Sequence, residues 1–263
     1  MDKIFADNIL QGKVAFVTGG GTGITGGIAR ALADAGAKMA ITSRKQENLE
    51  PMKRLIEDAG GECFAVAADV RDFSAVENAI SETVAQFGKI DIVINGAAGN
   101  FLCRAEELSA NGFGTVVDID AKGTFNVCRA AFEELKKSKG QILNISATLH
   151  YLATPMQIHV SAAKAGVDAI TRNLSVEWGR YGIRVNGIAP GPIATDALLT
   201  RIRARAASGG PAEAESLGAM AAETALGRMA TAEEEARTAL FLASDLSSGI
   251  TGRVFPVDAG LLP

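Results

Sequence analysis

Cysteine and histidine are scarce in this chain. Its three cysteines, Cys63, Cys103 and Cys128, are odd in number and far apart, with no C-x-x-C spacing. That argues against a disulfide framework and predicts reduced, partly buried thiols in a cytosolic setting. The only histidines, His150 and His159, have no metal-ligand spacing around them, so surface or loop positions and no metal site are expected. Charge of one sign is not in excess either. Lys and Arg number 26 against 30 Asp and Glu, a formal net charge of −4, and the basic residues form no stripe. Nucleic acid and an anionic membrane are therefore not expected as partners. No apolar run approaches the ~20 residues of a membrane span. Met1 to Gly12 has neither an apolar h-region nor an Arg/Ser-rich amphipathic character, and Leu261-Leu262-Pro263 does not match an S-K-L peroxisomal address. These readings predict a cytoplasmic protein.

What the chain does have is apolar content, 48% of 263 residues, enough for a large core without disulfides or metal. Short β-branched runs alternate with longer amphipathic stretches, the pattern of β-α units around a parallel sheet. Strands are expected at Val14–Thr18, Met39–Thr42, Cys63–Ala67, Ile90–Asn95, Gln141–Ile145, Arg184–Ala189 and Val254–Val257. Helices are expected at Ile24–Ala35, Ala75–Phe87, Gly114–Lys136 and Ala162–Arg180. Continuous apolar strands such as Val14-Ala15-Phe16-Val17 suit a sheet covered on both faces. With no linker and no repeat, the expected fold is one doubly wound, three-layer α/β/α domain over residues 1–263. The stretch from Thr195 to Ala225 is rich in Ala, Gly and Glu and has little apolar periodicity. Past the carboxyl end of the sheet, it reads as a lid over residues 195–225.

The first strand runs into Thr18-Gly19-Gly20-Gly21-Thr22-Gly23-Ile24-Thr25, and a helix follows. Glycines there allow a tight turn and let backbone N–H groups approach a pyrophosphate at a helix N-terminus. At the end of the second strand stand Thr42-Ser43-Arg44-Lys45, with no carboxylate to accept from a ribose 2′-OH. A hydroxyl and two cations suit a 2′-phosphate, which points to NADP.

The spacing of the glycine turn resembles the T-G-x-x-x-G-x-G signature of short-chain dehydrogenases/reductases. Further marks are Asp69-Val70, Asn95-Gly96-Ala97-Ala98-Gly99 and Pro190-Gly191-Pro192-Ile193, each after a strand. The resemblance runs from Gly12 to about Gly260, and it implies a nicotinamide cofactor near Gly19, Gly21, Thr22, Gly23, Ile24, Ser43, Arg44, Lys45, Asp69, Val70, Asn95, Ala97, Lys164, Pro190, Gly191 and Ile193. Thr25 stands where the last glycine of the signature is usual, so looser helix packing is expected there.

Most of that family reduces ketones with Tyr-x-x-x-Lys, a serine and an asparagine. In Val160-Ser161-Ala162-Ala163-Lys164 the tyrosine position is Val160. The serine position is Ala147, the asparagine position is Asp120, and only Lys164 remains. Ordinary ketone reduction is not expected. The stretches Ala97-Ala98-Gly99-Asn100-Phe101-Leu102, Asp118-Ile119-Asp120 and Ser146-Ala147-Thr148-Leu149 are similar to 2,4-dienoyl-CoA reductases, above all the peroxisomal type. That type lacks the tyrosine and carries an aspartate and a lysine at these positions. The resemblance implies hydride transfer from NADPH to a 2,4-dienoyl-CoA, giving a trans-3-enoyl-CoA. It also implies a water held by Asp120 and Lys164, acyl-CoA contacts from Arg71, Asn100 and Phe101, and a homotetramer built on Gly114–Lys136 and Ala162–Arg180. Two alternatives stay open: a reductase of another conjugated acyl thioester, and a catalytically silent NADP-binding or sensing protein. Tyr151 is a further candidate proton donor, although its offset from Lys164 does not fit the family.

Overall fold

The computed structural model describes residues 8–262, so the expectations placed on residues 1–7 and on Pro263 lie outside the described residues. In chain order the elements are β1 (Val14–Thr18), α1 (Gly23–Asp34), β2 (Lys38–Ser43), α2 (Glu50–Glu57), β3 (Cys63–Ala67), α3 (Phe73–Phe87) and β4 (Ile92–Asn95). There follow α4 (Ala110–Val117), a π-helical turn (Asp118–Lys122), α5 (Gly123–Ser138), β5 (Gln141–Ile145), α6 (Leu149–Leu152), α7 (Ile158–Trp178) and β6 (Arg184–Pro190). The chain closes with α8 (Asp196–Ala207), α9 (Glu213–Ala222), α10 (Ala232–Leu242) and β7 (Val254–Val257).

All seven strands are parallel, in the order β3-β2-β1-β4-β5-β6-β7. Strand side chains alternate in direction, and here each face meets helices. Ala15 and Val17 join Ile28 and Leu32 of α1 and Ala239 and Leu240 of α10 in one apolar layer. Phe16 joins Val76 of α3, Val127 of α5 and Leu174 of α7 in the other. The strand order reverses between β1 and β4, whose last residues Thr18 and Asn95 pair side by side. A crevice at the carboxyl ends of these strands is where such sheets bind ligands.

Strand positions agree with the sequence pattern to within about two residues, and the departures have local causes. Ile90 and Asp91 precede β4 rather than starting it, because the Asp91 carboxylate accepts from the Val14 N–H (2.8 Å). Helix α3 starts at Phe73, where Asp72 caps it by accepting from the N–H groups of Ser74 and Ala75. The expected single helix Gly114–Lys136 is instead three pieces beginning at Ala110 and ending at Ser138, with the π turn between them. The segment 195–225 forms α8 and α9, whose only buried residue is Ile202.

Candidate active site

The turn after β1 is built for a close backbone approach. Gly19 has φ +69°, and a Cβ there would meet the Gly96 carbonyl oxygen at 2.8 Å. A Cβ on Gly21 would lie 2.1 Å from the Asn48 carbonyl oxygen, so this turn and the segment after β2 pass each other in backbone contact. Thr22 is the N-cap of α1 but makes no side-chain cap, and the first turn carries no acidic residue. The N–H groups of Thr22, Gly23 and Ile24 are thus the free positive end of a helix. Thr25 does not loosen the packing. It is buried, and its methyl occupies the place a side chain on Gly96 would need, since a Cβ there would be 1.9 Å away. A threonine in the glycine position is matched by a glycine across the crevice.

At the end of β2, the Ser43 hydroxyl donates to the Lys45 carbonyl (2.8 Å), which leaves its oxygen free to accept. Lys45 is drawn into an exposed ion pair with Glu47 (3.2 Å). Arg44 is exposed and takes part in none of the ion pairs found among the described residues. Asp69 is held by Arg71 through several contacts, the shortest 2.6 Å, and these hydrogen bonds keep its carboxyl below its ordinary range. Both side chains face outward from the end of β3.

Other expected cofactor residues differ in what they present. The Asn95 side chain is buried and donates to Asn144 Oδ1 (2.8 Å) and Cys128 Sγ (3.2 Å), so it braces β4 against β5 and α5. Val70 is buried, with its side chain against Gly123 and its carbonyl accepting from Asn126 (2.8 Å). The Ala97 N–H, like that of Gly96, donates to the buried Thr18 hydroxyl (3.1 Å each). Pro190 ends β6 and accepts from the Thr148 N–H (3.1 Å), which ties the loops after β5 and β6 together. Gly191 lets that loop pass Asp258, since a Cβ there would lie 2.7 Å from the Asp258 Cβ. Ile193 is buried.

Asp120 and Lys164 meet. Both are buried, at 1% and 6% exposure. The π turn rotates Asp120 inward, and Gly123 lets the helix lie against Val70, where a Cβ would be 2.6 Å from a valine methyl. Single π turns of this kind recur at functional sites. Asp120 Oδ1 accepts from the Gly99 N–H (2.7 Å), and Lys164 Nζ donates to the Ile145 carbonyl (2.8 Å). Nζ lies 3.2 Å from Asp120 Oδ2, an ion-pair distance, yet does not point along a hydrogen bond. Asp120 Oδ2 is thus held by the charge of Lys164 and makes no well-aligned hydrogen bond within the protein. Val160 fills the space beside the pair, packed with Val116 and Ala163.

The histidines are not on the surface, contrary to expectation. His159 is fully buried, with Nε2 3.0 Å from the Phe101 carbonyl, and the His150 side chain is 8% exposed and lies 2.9 Å from Asp168 Oδ2. Each is drawn inward by an acceptor that is distant in sequence. Asp168 collects three donors, Ser146 (2.5 Å), His150 and Tyr151. Burial alone would raise its pKa, but the donors outweigh it and hold the carboxyl below its ordinary range. The Tyr151 hydroxyl is committed to that carboxylate. Burial first, and then this hydrogen bond, push its pKa up, which makes it a poor acid. Among the described residues no cluster of His, Cys, Asp and Glu suits a metal, and no helix is long and apolar enough to cross a membrane. All three cysteines are free.

The enoyl-(acyl carrier protein) reductase family matches residues 19–262. The peroxisomal 2,4-dienoyl-CoA reductase [(3E)-enoyl-CoA-producing] of Arabidopsis thaliana is 42% identical, covering 99% of this chain and 88% of that protein. The peroxisomal enzyme of the same description from Saccharomyces cerevisiae is 45% identical, covering 97% and 85%. A crystal structure of a short chain dehydrogenase from Bacillus anthracis superposes with a TM-score of 0.83 at 41% identity, covering 95% of this chain and 96% of that one. The chain belongs to the short-chain dehydrogenase/reductase family. The Arabidopsis and yeast relatives are named as reductases of 2,4-dienoyl-CoA, and here Val160 and Ala147 stand at the tyrosine and serine positions.

Proposed function

We propose that this protein is an NADPH-dependent reductase of 2,4-dienoyl-CoA that yields a trans-3-enoyl-CoA. The observation that carries the reading is the buried Asp120–Lys164 ion pair beside Val160, where the tyrosine is lacking. The activity for which the Arabidopsis and yeast relatives are named supports it.

The residues fit a nicotinamide dinucleotide phosphate. Gly19 and Gly21 keep the turn free of side chains, the open α1 N-terminus faces a pyrophosphate, and the exposed Arg44 guanidinium receives the 2′-phosphate, to which Ser43 donates once its hydroxyl turns from the Lys45 carbonyl. When bound, NADPH supplies the hydride, which adds to the far end of the conjugated chain. The resulting charge spreads to Cα and the thioester oxygen. Asp120 Oδ2 accepts one hydrogen of a water, and Lys164 Nζ approaches the same water from the other side. That water gives its other proton to Cα, leaving the double bond between the third and fourth carbons, and the hydroxide left beside the Lys164 ammonium is reprotonated from solvent. Lys164 has three N–H donors and uses one on Ile145, so another remains for the nicotinamide ribose. Arg71, Asn100 and Phe101 contact the acyl-CoA. The segment 195–225 acts as a lid, consistent with a single buried residue in its two helices. A homotetramer and a cytoplasmic location complete the reading, the latter resting on the three free thiols and set against relatives named as peroxisomal.

The direct test follows NADPH absorbance with 2,4-hexadienoyl-CoA and longer dienoyl-CoAs, with product analysis by mass spectrometry and NMR. Consumption with a 3-enoyl product is expected. NADPH binding without consumption across these substrates would overturn the enzyme reading and leave a silent NADP-binding protein.

A further inference from the structure

Residues 97–103, the segment after β4, touch the catalytic pair at one end and the start of α7 at the other. Gly99 donates to Asp120 Oδ1 (2.7 Å). Farther on, the Cys103 N–H donates to the Met156 carbonyl (3.0 Å), Gln157 Nε2 donates to Asn100 Oδ1 (3.2 Å), and His159 Nε2 reaches the Phe101 carbonyl (3.0 Å). The His159 and Phe101 rings also stack, 4.3 Å between centroids at 34°. A carbonyl only accepts, so Nε2 carries the proton and Nδ1 is left as a buried acceptor without a partner. Packing alone does not account for a fully buried imidazole with one nitrogen unsatisfied. A leucine would fill the space, but it would not donate to the Phe101 carbonyl.

What that donation holds in place is apolar and outward-facing. Phe101 is 39% exposed and Leu102 53%, on the same turn that touches Asp120, and Met156, tied to that turn through the Cys103 N–H, is 42% exposed. Apolar side chains left in water beside a buried reaction centre gain most when an apolar ligand covers them. We infer that His159 is a positioning residue that holds Phe101 and its turn as one wall of the acyl groove, and so sets the preference for chain length. This rests on the dienoyl-CoA reading above.

The experiment compares 2,4-hexadienoyl-CoA with 2,4-decadienoyl-CoA, at saturating NADPH, in the unaltered enzyme and in His159→Leu, His159→Gln and Phe101→Ala. Each methylene buried on the wall is worth up to about fourfold in affinity. The unaltered enzyme is expected to show the lower KM with the longer substrate. His159→Leu should raise the decadienoyl KM by about tenfold or more while moving the hexadienoyl kcat by less than about threefold. His159→Gln retains an N–H donor and should recover part of the loss. Phe101→Ala, which removes the wall itself, should raise the decadienoyl KM more than the hexadienoyl KM, and it decides the matter together with the glutamine variant if His159→Leu fails to fold. Losses equal for the two substrates in the His159 variants, or an unchanged chain-length preference in Phe101→Ala, overturn the inference alone. No turnover of either substrate by the unaltered enzyme overturns the reductase reading and this inference with it.

Discussion

Replacing Glu235 by glutamine should flatten the dependence of stability on pH. Glu235 lies on α10, is 0% exposed, and has no hydrogen-bond partner on either carboxylate oxygen. Burial first, then the charges of Glu234 and Asp258, push its pKa from 4.5 up to about 8. The folded protein thus keeps a proton that the unfolded chain releases across most of that interval. For a carboxyl raised in the folded state, its contribution is fully present below pH 4.5 and is lost as pH rises through about 8. The interval corresponds to at most ~5 kcal/mol, at about 1.4 kcal/mol per pH unit. In a chain of this size that is roughly 10–20 °C in Tm. The carboxyls of Asp69, Asp168 and Glu234 are held low, so they stay ionised across this window and drop out of a difference between variants. The assay is scanning calorimetry at fixed scan rate from pH 5 to 8. Tm of the unaltered protein should fall relative to Glu235→Gln as pH rises, with the variant ahead at pH 8. Parallel curves, or a gap that closes toward pH 8, would refute the reasoning.

Two further outcomes concern the crevice. NADPH should bind more tightly than NADH, and Arg44→Ala should remove most of the difference, about 1.5–3 kcal/mol for a charge-assisted contact; calorimetric titration with both nucleotides checks this, and equal affinities in the unaltered protein would sink it. Val160→Tyr should yield little ketone reduction and impaired dienoyl-CoA turnover, because Val160 is packed against Val116 and Ala163 and Ala147 still lacks the orienting hydroxyl; robust ketone reductase activity from this one change would show that the crevice has diverged less than its packing implies.

The sheet was legible because its strands are short, largely apolar runs, several of them closed by glycine, and periodicity reports such segments well. The meeting of Asp120 and Lys164 was legible through ordered motifs at the ends of successive strands. What escaped depends on contacts across the chain. Nothing local in Asp118-Ile119-Asp120-Ala121-Lys122 announces a π turn, which answers to Gly99 and Val70 from other elements. His159 looks like any helical histidine until the Phe101 carbonyl, 58 residues away, is brought beside it. Thr25 reads as a flaw in the glycine signature, and only its contact with Gly96 reveals the matched exchange. Glu235 sits in the run Glu233-Glu234-Glu235, and the helical period turns only this one inward.

The measurement that bears most directly on the central claim is the turnover of Asp120→Asn. The amide keeps the shape and can still accept from the Gly99 N–H, but it lacks the charge opposite Lys164 and accepts more weakly from water. If the pair holds the protonating water, NADPH affinity and Tm change little while turnover of 2,4-dienoyl-CoA falls by ~10²–10⁴-fold, the usual range for acid–base groups. Near-normal turnover, or a loss that only follows a fall in Tm, would contradict the account and leave Asp120–Lys164 as a brace between two helices.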